Sequence, residues 1–184
     1  LNRYFTREFF ELLRTRLETP GVIGVRVSAG ENFMSEDRIN IGASAFATLR
    51  SVFRHLAIKP GDESWIMASD GPGLTTAPAA LRDRFAAVDG ADRIYPPARI
   101  MTLFPPQRVE YERQCFESAI ADTPPALLLN TDRSPRALLH SLLFGVREAG
   151  GTVSRGAAIR NFALHGALVL PLGLLIFPLL RTVF

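Results

Sequence analysis

Two stretches place polar side chains directly behind apolar runs: Gly30-Glu31-Asn32 follows Val22–Val27, and Asp70 follows Ser64–Ser69. Ligands of open α/β sheets sit beyond the carboxyl ends of strands, so Glu31 is placed where a ligand contact would lie and Asp70 is a weaker candidate for a ligand role. The competing reading is turn chemistry. Glu31 and Asn32 suit a polar loop, and Asp70-Gly71-Pro72-Gly73 is ordinary punctuation after a strand.

Other chemistries are missing from the pattern. Gly21-Val22-Ile23-Gly24 precedes a strand instead of following one, so it is no phosphate-cradling loop. No serine lies in a GxSxG elbow. Cys115 is the only cysteine, which excludes an internal disulfide and a CxxC site. Its context, Glu112 to Phe116, is that of an amphipathic helix and a structural thiol. His55, His140 and His165 fall far apart on separate predicted helices, without metal-ligand spacing. Glu8 and Glu11 beside Arg7 and Arg14 read as solvated ion pairs on a helix face.

The elements that must position these groups alternate. Thr6 caps a helix running to about Glu18, with Phe9, Leu12, Leu13 and Leu17 on one face. Thr19-Pro20-Gly21 breaks it ahead of the strand Val22–Val27. Ser28–Ile41 reads as irregular, and helical spacing from Ser44 to Leu56 predicts a second helix. A turn at Lys59-Pro60-Gly61-Asp62 leads to the strand Ser64–Ser69, and Thr75 or Thr76 caps a third helix with Pro78 in its first turn. This αβαβ order predicts an α/β sheet covered on both faces. Arg99–Phe104 reads as an edge strand, Gln107–Ala119 as a charged helix, Thr123-Pro124-Pro125 as a linker and Arg136–Val146 as a short membrane-approaching helix.

The chain has 184 residues and a net charge of +3, with Lys59 the only lysine among 21 basic residues. The arginines are interleaved with acids and form no stripe, so a nucleic-acid surface is not expected. Phe162–Leu180 carries no formal charge and, at 1.5 Å rise per residue, meets the length of a bilayer core of about 30 Å. Despite Pro171, Pro178 and His165 it reads as a membrane helix, the alternative being a buried core helix. Arg147, Arg155 and Arg160 before it, against Arg181 after it, place the N-terminal side in the cytoplasm. A start at Leu1 and a stop just past the span suggest a piece of a longer polypeptide.

Asn2 to Phe10, Pro20-Gly21-Val22, Gly30-Glu31-Asn32, and Pro60-Gly61 ahead of Trp65-Ile66-Met67-Ala68-Ser69 together resemble the C-terminal half of a spermidine synthase-like domain of the membrane-fused bacterial type. The resemblance covers about residues 1 to 145, with Asn130-Thr131-Asp132 and Pro135 similar to the junction in such fusions. It implies an α/β fold with a partial Rossmann-like, methyltransferase-type domain, then a membrane-associated helix and one transmembrane helix. The domain bounds are 1–122 for the half domain, 123–160 for linker and amphipathic helix, and 161–181 for the span. The location implied is the inner membrane of a bacterium.

For the parent, the resemblance implies transfer of an aminopropyl group from decarboxylated S-adenosylmethionine to a polyamine. Positioning and a carboxylate base would supply most of the rate of such a reaction. The family's co-substrate loop and catalytic aspartate match nothing here, which implies a catalytically silent fragment without a cofactor of its own. Substrate contacts would come from Glu31 and, as a pocket wall, Tyr4. Ala29 stands where the family has a glutamine and Ile58 where it has a tyrosine, both polyamine-holding positions. That leaves a methyltransferase-like domain, or a non-catalytic cytoplasmic binding or regulatory module, as alternatives. Half a sheet would also expose strand edges, which predicts aggregation or a homodimer.

Overall fold

In the computed structural model, residues 2–18, 20–30 and 33–148 are described. Thr6 turns the chain from a 3-10 turn (Asn2–Phe5) into α1 (Arg7–Arg14), its hydroxyl accepting the Phe9 N–H at 3.3 Å. The helix stops a turn earlier than its apolar spacing predicts, where the Thr15 hydroxyl donates to the Leu12 carbonyl at 2.7 Å. Strand β1 is Ile23–Ser28. Helix α2 (Glu36–Arg50) starts well before the predicted Ser44. Ser35 accepts the Arg38 N–H at its head, and Glu36 and Asp37 lie in the first turn where the helix dipole favours acids.

Strand β2 (His55–Lys59) takes residues that the helical spacing assigned partly to a helix, and Pro60–Asp62 turns it into β3 (Glu63–Ser69). The rest is helical: α3 (Pro78–Ala86), α4 (Ala91–Ile94), α5 (Pro97–Ile100), α6 (Pro106–Ala121), α7 (Pro125–Leu128) and α8 (Arg136–Glu148). The expected edge strand Arg99–Phe104 is instead the end of α5 and a turn. Pro97, with its φ already set for the first helical position, starts a helical turn there.

The sheet corrects the expected architecture. Its order is β1-β3-β2, and β3 runs antiparallel to both neighbours, with Val25 opposite Ile66 and Ile58 opposite Ile66. No Rossmann-like parallel sheet is formed among the described residues. A parallel crossover needs a dozen or more residues, and the three between β2 and β3 permit only a hairpin. β1 and β2 therefore point the same way, joined through α2, with β3 inserted between them as in a split βαβ unit.

Along β1 and most of β3 the sheet is buried on one face only, not on both, while in β2 the adjacent Ala57 and Ile58 are both buried. Val25 and Val27 of β1 and Ser64, Ile66 and Ala68 of β3 point inward, while Gly24, Arg26, Ser28, Glu63 and Trp65 face out. One covered face is the usual state of an antiparallel sheet. Helices α2 and α6 cover the inner face through Ala43, Phe46, Leu49 and Phe116, and Phe10 of α1 joins the same core.

No helix among the described residues is long and apolar enough to cross a membrane, and the predicted span 161–181 lies outside them. The chain divides into two compact units, Leu1–Ser141 and Leu142–Phe184. Of the second, only the end of α8 is described.

Asn130, 1 % exposed, ties the first unit together. Its N–H donates to the Thr48 hydroxyl at 3.1 Å and its carbonyl accepts the Arg7 N–H at 2.9 Å. Its amide nitrogen donates to the Phe5 carbonyl at 2.8 Å, and its amide oxygen accepts the Ala137 N–H at 3.1 Å. Replacing it by alanine removes its side-chain bonds to the Phe5 carbonyl and the Ala137 N–H, each worth about 1–3 kcal/mol where a buried group loses its partner. Asn130→Ala is therefore expected to lower the urea midpoint by the equivalent of roughly 2–4 kcal/mol. Gly42 of α2 faces the Phe116 ring so closely that a β-carbon there would overlap it. Gly42→Ala is expected to cost about 1–3 kcal/mol by overpacking, measured in the same way, despite alanine's better helix propensity.

Candidate functional site

The sheet has two ends, and the sequence motifs divide between them. At the end where β1 and β2 finish, the Ala29 N–H donates to the Asp62 carbonyl at 2.9 Å and the Ala29 carbonyl accepts from the Arg38 guanidinium at 2.9 Å. The two segments that carry the family resemblance thus meet. Their divergent side chains are buried: Ala29 is 1 % exposed and Ile58, at 3 %, sits in the core against Ile66. The nominated Glu31 lies outside the described residues.

Behind this end stands a buried acid that the sequence reading passed over. Glu112 of α6 is 2 % exposed and accepts a hydrogen bond from the Ser64 hydroxyl, while its Oε2 has no partner among the described residues. Burial pushes its carboxyl above the usual carboxylate range, against the Ser64 hydrogen bond and the more distant charges of Arg108 and Lys59. Ser64 Oγ also lies 3.3 Å from the Gly61 carbonyl, and one hydroxyl proton serves only one acceptor. With Glu112 protonated, the acid donates to Ser64 and Ser64 donates to Gly61, so both acceptors are satisfied. A serine touching a carboxylate invites comparison with an activated nucleophile, but Ser64 is fully enclosed and no substrate reaches it. The missed signal was periodicity: Glu112 lies four residues from Phe116, on the apolar stripe of α6.

The opposite end of the sheet carries an open cleft of about 460 Å³ between the last turn of α1, Gly21, Phe53 and the end of β3. Arg14 Nε donates to Asp70 Oδ2 at 2.5 Å across 56 residues of chain, and the Arg54 N–H donates to Oδ1 at 3.2 Å. The Arg14 hydrogen bond holds the Asp70 carboxyl below its usual range, offset in part by desolvation. Ser69 builds the floor, its hydroxyl donating to the Gly21 carbonyl at 2.8 Å and accepting the Gly71 N–H at 3.0 Å. Glu11 and Glu18 stand at the rim, Glu11 3.4 Å from Arg7 Nε. Arg14 and Arg54 lie beside Asp70 and Arg7 beside Glu11, which leaves Glu18 as the lining carboxylate with no ion pair among the described residues.

A second cleft of about 640 Å³ runs between α2, the end of α6 and the Thr123-Pro124-Pro125 linker, with Arg50 and Asp122 as its charged groups. Tyr4 lines neither cleft. It is 59 % exposed and stands edge-on to Phe9 at 5.5 Å. The structure brings Asp70 and Arg14 together, and it places Tyr4 on the surface away from both. Cys115 is half-buried against the core, as a structural thiol would be. Among the described residues no three His, Cys, Asp or Glu groups are placed to hold a metal ion.

Glu112 makes stability depend on pH with a defined sign. Its folded pKa lies above the unfolded value, so its contribution is fully present below about 4.5 and is lost as pH rises through the folded pKa. Glu112→Gln keeps a donor for Ser64 and cannot ionise. The variant is expected to match the parent chain near pH 4.5 and to exceed its denaturant midpoint increasingly toward neutral pH. A difference that does not change with pH would contradict this assignment.

No protein-family model, curated protein or solved structure matches the chain.

Proposed function

We propose that this chain is part of a spermidine synthase-like protein and that by itself it is a binding module, not a catalyst. Its ligand is a small cationic amine held in the cleft between α1 and the end of β3. The observation that carries the reading is Glu18, a lining carboxylate with no ion pair among the described residues, in the same cleft as Asp70, which its arginine partner keeps ionised. Arg14 in turn is fixed by Asp70, which leaves Glu18 at the rim for an ammonium group.

The reading is non-catalytic because the contact of Ser64 with Glu112 is enclosed and Asp70 in the open cleft is held below the usual carboxylate range, a poor base for an amine. A second reading, a transferase domain in a longer parent, is favoured by the bond between Ala29 and Asp62, which joins the segments of the resemblance at one sheet end.

Titration with 1,4-diaminobutane or spermidine at low salt, followed by calorimetry, tests the first reading. Saturable binding is expected, weakening as salt rises, because rim charges are screened over about 10 Å at 0.1 M ionic strength. Glu18→Gln removes one exposed charge, worth about 0.2–1 kcal/mol, and should weaken binding up to about fivefold. Absence of binding, or binding indifferent to Glu18→Gln, would remove the cleft as the site.

A further inference from the structure

Strand β1 stands at an edge of the sheet with a neighbour on one side only. The Ala29 N–H bonds to Asp62 on the β3 side, and antiparallel pairing alternates inward and outward backbone groups. The N–H and C=O groups of Gly24, Arg26 and Ser28 therefore point away from the sheet, and no described residue pairs with them. The usual protections of an edge are missing from β1: it has no proline and no bulge. Its one charge, Arg26, already engages Glu63 of β3 at 2.9 Å. The other edge strand, β2, lies against α6.

We propose that β1 is the interface of a homodimer, pairing antiparallel with β1 of a second copy about a two-fold axis at Val25. The argument is one of register. Ile23, Val25 and Val27 of both copies must share the buried face, so only registers that set odd residues opposite odd residues survive. A centre at Arg26 breaks that rule for no residue but stacks Arg26 on its own copy, like charge on like charge. A centre at Val27 or Ile23 shortens the overlap. A centre at Val25 sets Ile23 opposite Val27, and Gly24 opposite Arg26, twice.

Gly24 adds room on the outer face of this register. Gly24 leaves the outer face open beside Trp65, whose ring would stand 3.3 Å from a β-carbon at that position. Arg26 of the second copy crosses that gap with its stem against an indole that is 41 % exposed, an arrangement that favours a cation. The outward groups of Gly24 and Arg26 then form two-way hydrogen-bonded pairs, and the two three-stranded sheets become one of six strands. An isologous contact of this kind closes on itself and does not propagate.

The test uses the full chain in a mild non-ionic detergent, compared by sedimentation equilibrium with Gly24→Glu and Gly24→Lys. Both substitutions place a β-carbon against Trp65 and a charge two residues from Arg26 of the same strand, so the stability of each monomer is measured alongside, and they differ in charge opposite Arg26 of the second copy. The parent chain is expected to dimerise, with Gly24→Glu at least about tenfold tighter than Gly24→Lys over the two symmetric pairs. A monomer at every concentration, or equal dimerisation of the two variants, overturns the proposal and leaves the edge to a different strand. Amide exchange in the unaltered chain gives an independent reading that needs neither variant. The Arg26 amide is expected to exchange slowly in the dimer and fast on dilution, and exchange independent of concentration overturns the proposal equally.

Discussion

The arrangement of the first unit depends on one buried amide. Asn130 spends both backbone groups and both side-chain atoms on four separate partners, reaching the turn before α1, α1 itself, α2 and the first turn of α8. These partners are distant in sequence, so the network fixes the angle at which α1 meets α2. A second bond beside it, from the Ser44 hydroxyl to the Leu128 carbonyl at 2.6 Å, holds the approach to Asn130 from the same helix. The cleft follows from this. Arg14 reaches Asp70 from an α1 that is held at its other end, at Arg7, by the Asn130 carbonyl. Buried polar networks of this sort are costly when incomplete and specify one geometry when complete.

Two carboxylates show how the same group takes opposite roles in one small domain. Glu112 is enclosed, lacks a cationic partner at hydrogen-bond distance, and is pushed toward its neutral form. Asp70 is at the surface, held by a guanidinium and a backbone N–H, and stays ionised. The first glues α6 to β3 as a hydrogen-bonding acid. The second offers charge to solvent. The difference lies in solvation and partners, not in the residues that flank them.

Local signals were legible in the sequence and relations between distant segments were not. Thr6 as a cap, Pro78 in the first turn of α3, the Lys59–Asp62 turn and both apolar strands are where the spacing places them, while Ala77 and not Thr75 or Thr76 stands at the head of α3. Leu56 was misassigned because an apolar residue at helical spacing behind Val52 and Phe53 fits a helix as well as a strand. That one slip hid β2 and turned a hairpin into an expected parallel crossover. Asp70 was visible as a polar residue behind a strand, but its partner Arg14 was read as part of a helical ion-pair ladder, and nothing in the intervening residues joins the two. Tyr4 was nominated through family resemblance alone, and the aromatic contact with Phe9 accounts for its place on the surface.

Trp65 is the only tryptophan of the chain, and it sits on the uncovered face of the sheet with its ring over Gly24. Intrinsic indole emission from this protein therefore reports on the outside of the sheet. In an ordinary domain the tryptophan is enclosed and its emission shifts to the red on unfolding. Here the native ring already meets water on one side, so unfolding changes its colour little, and a shift to the blue marks whatever comes to lie across β1 and β3.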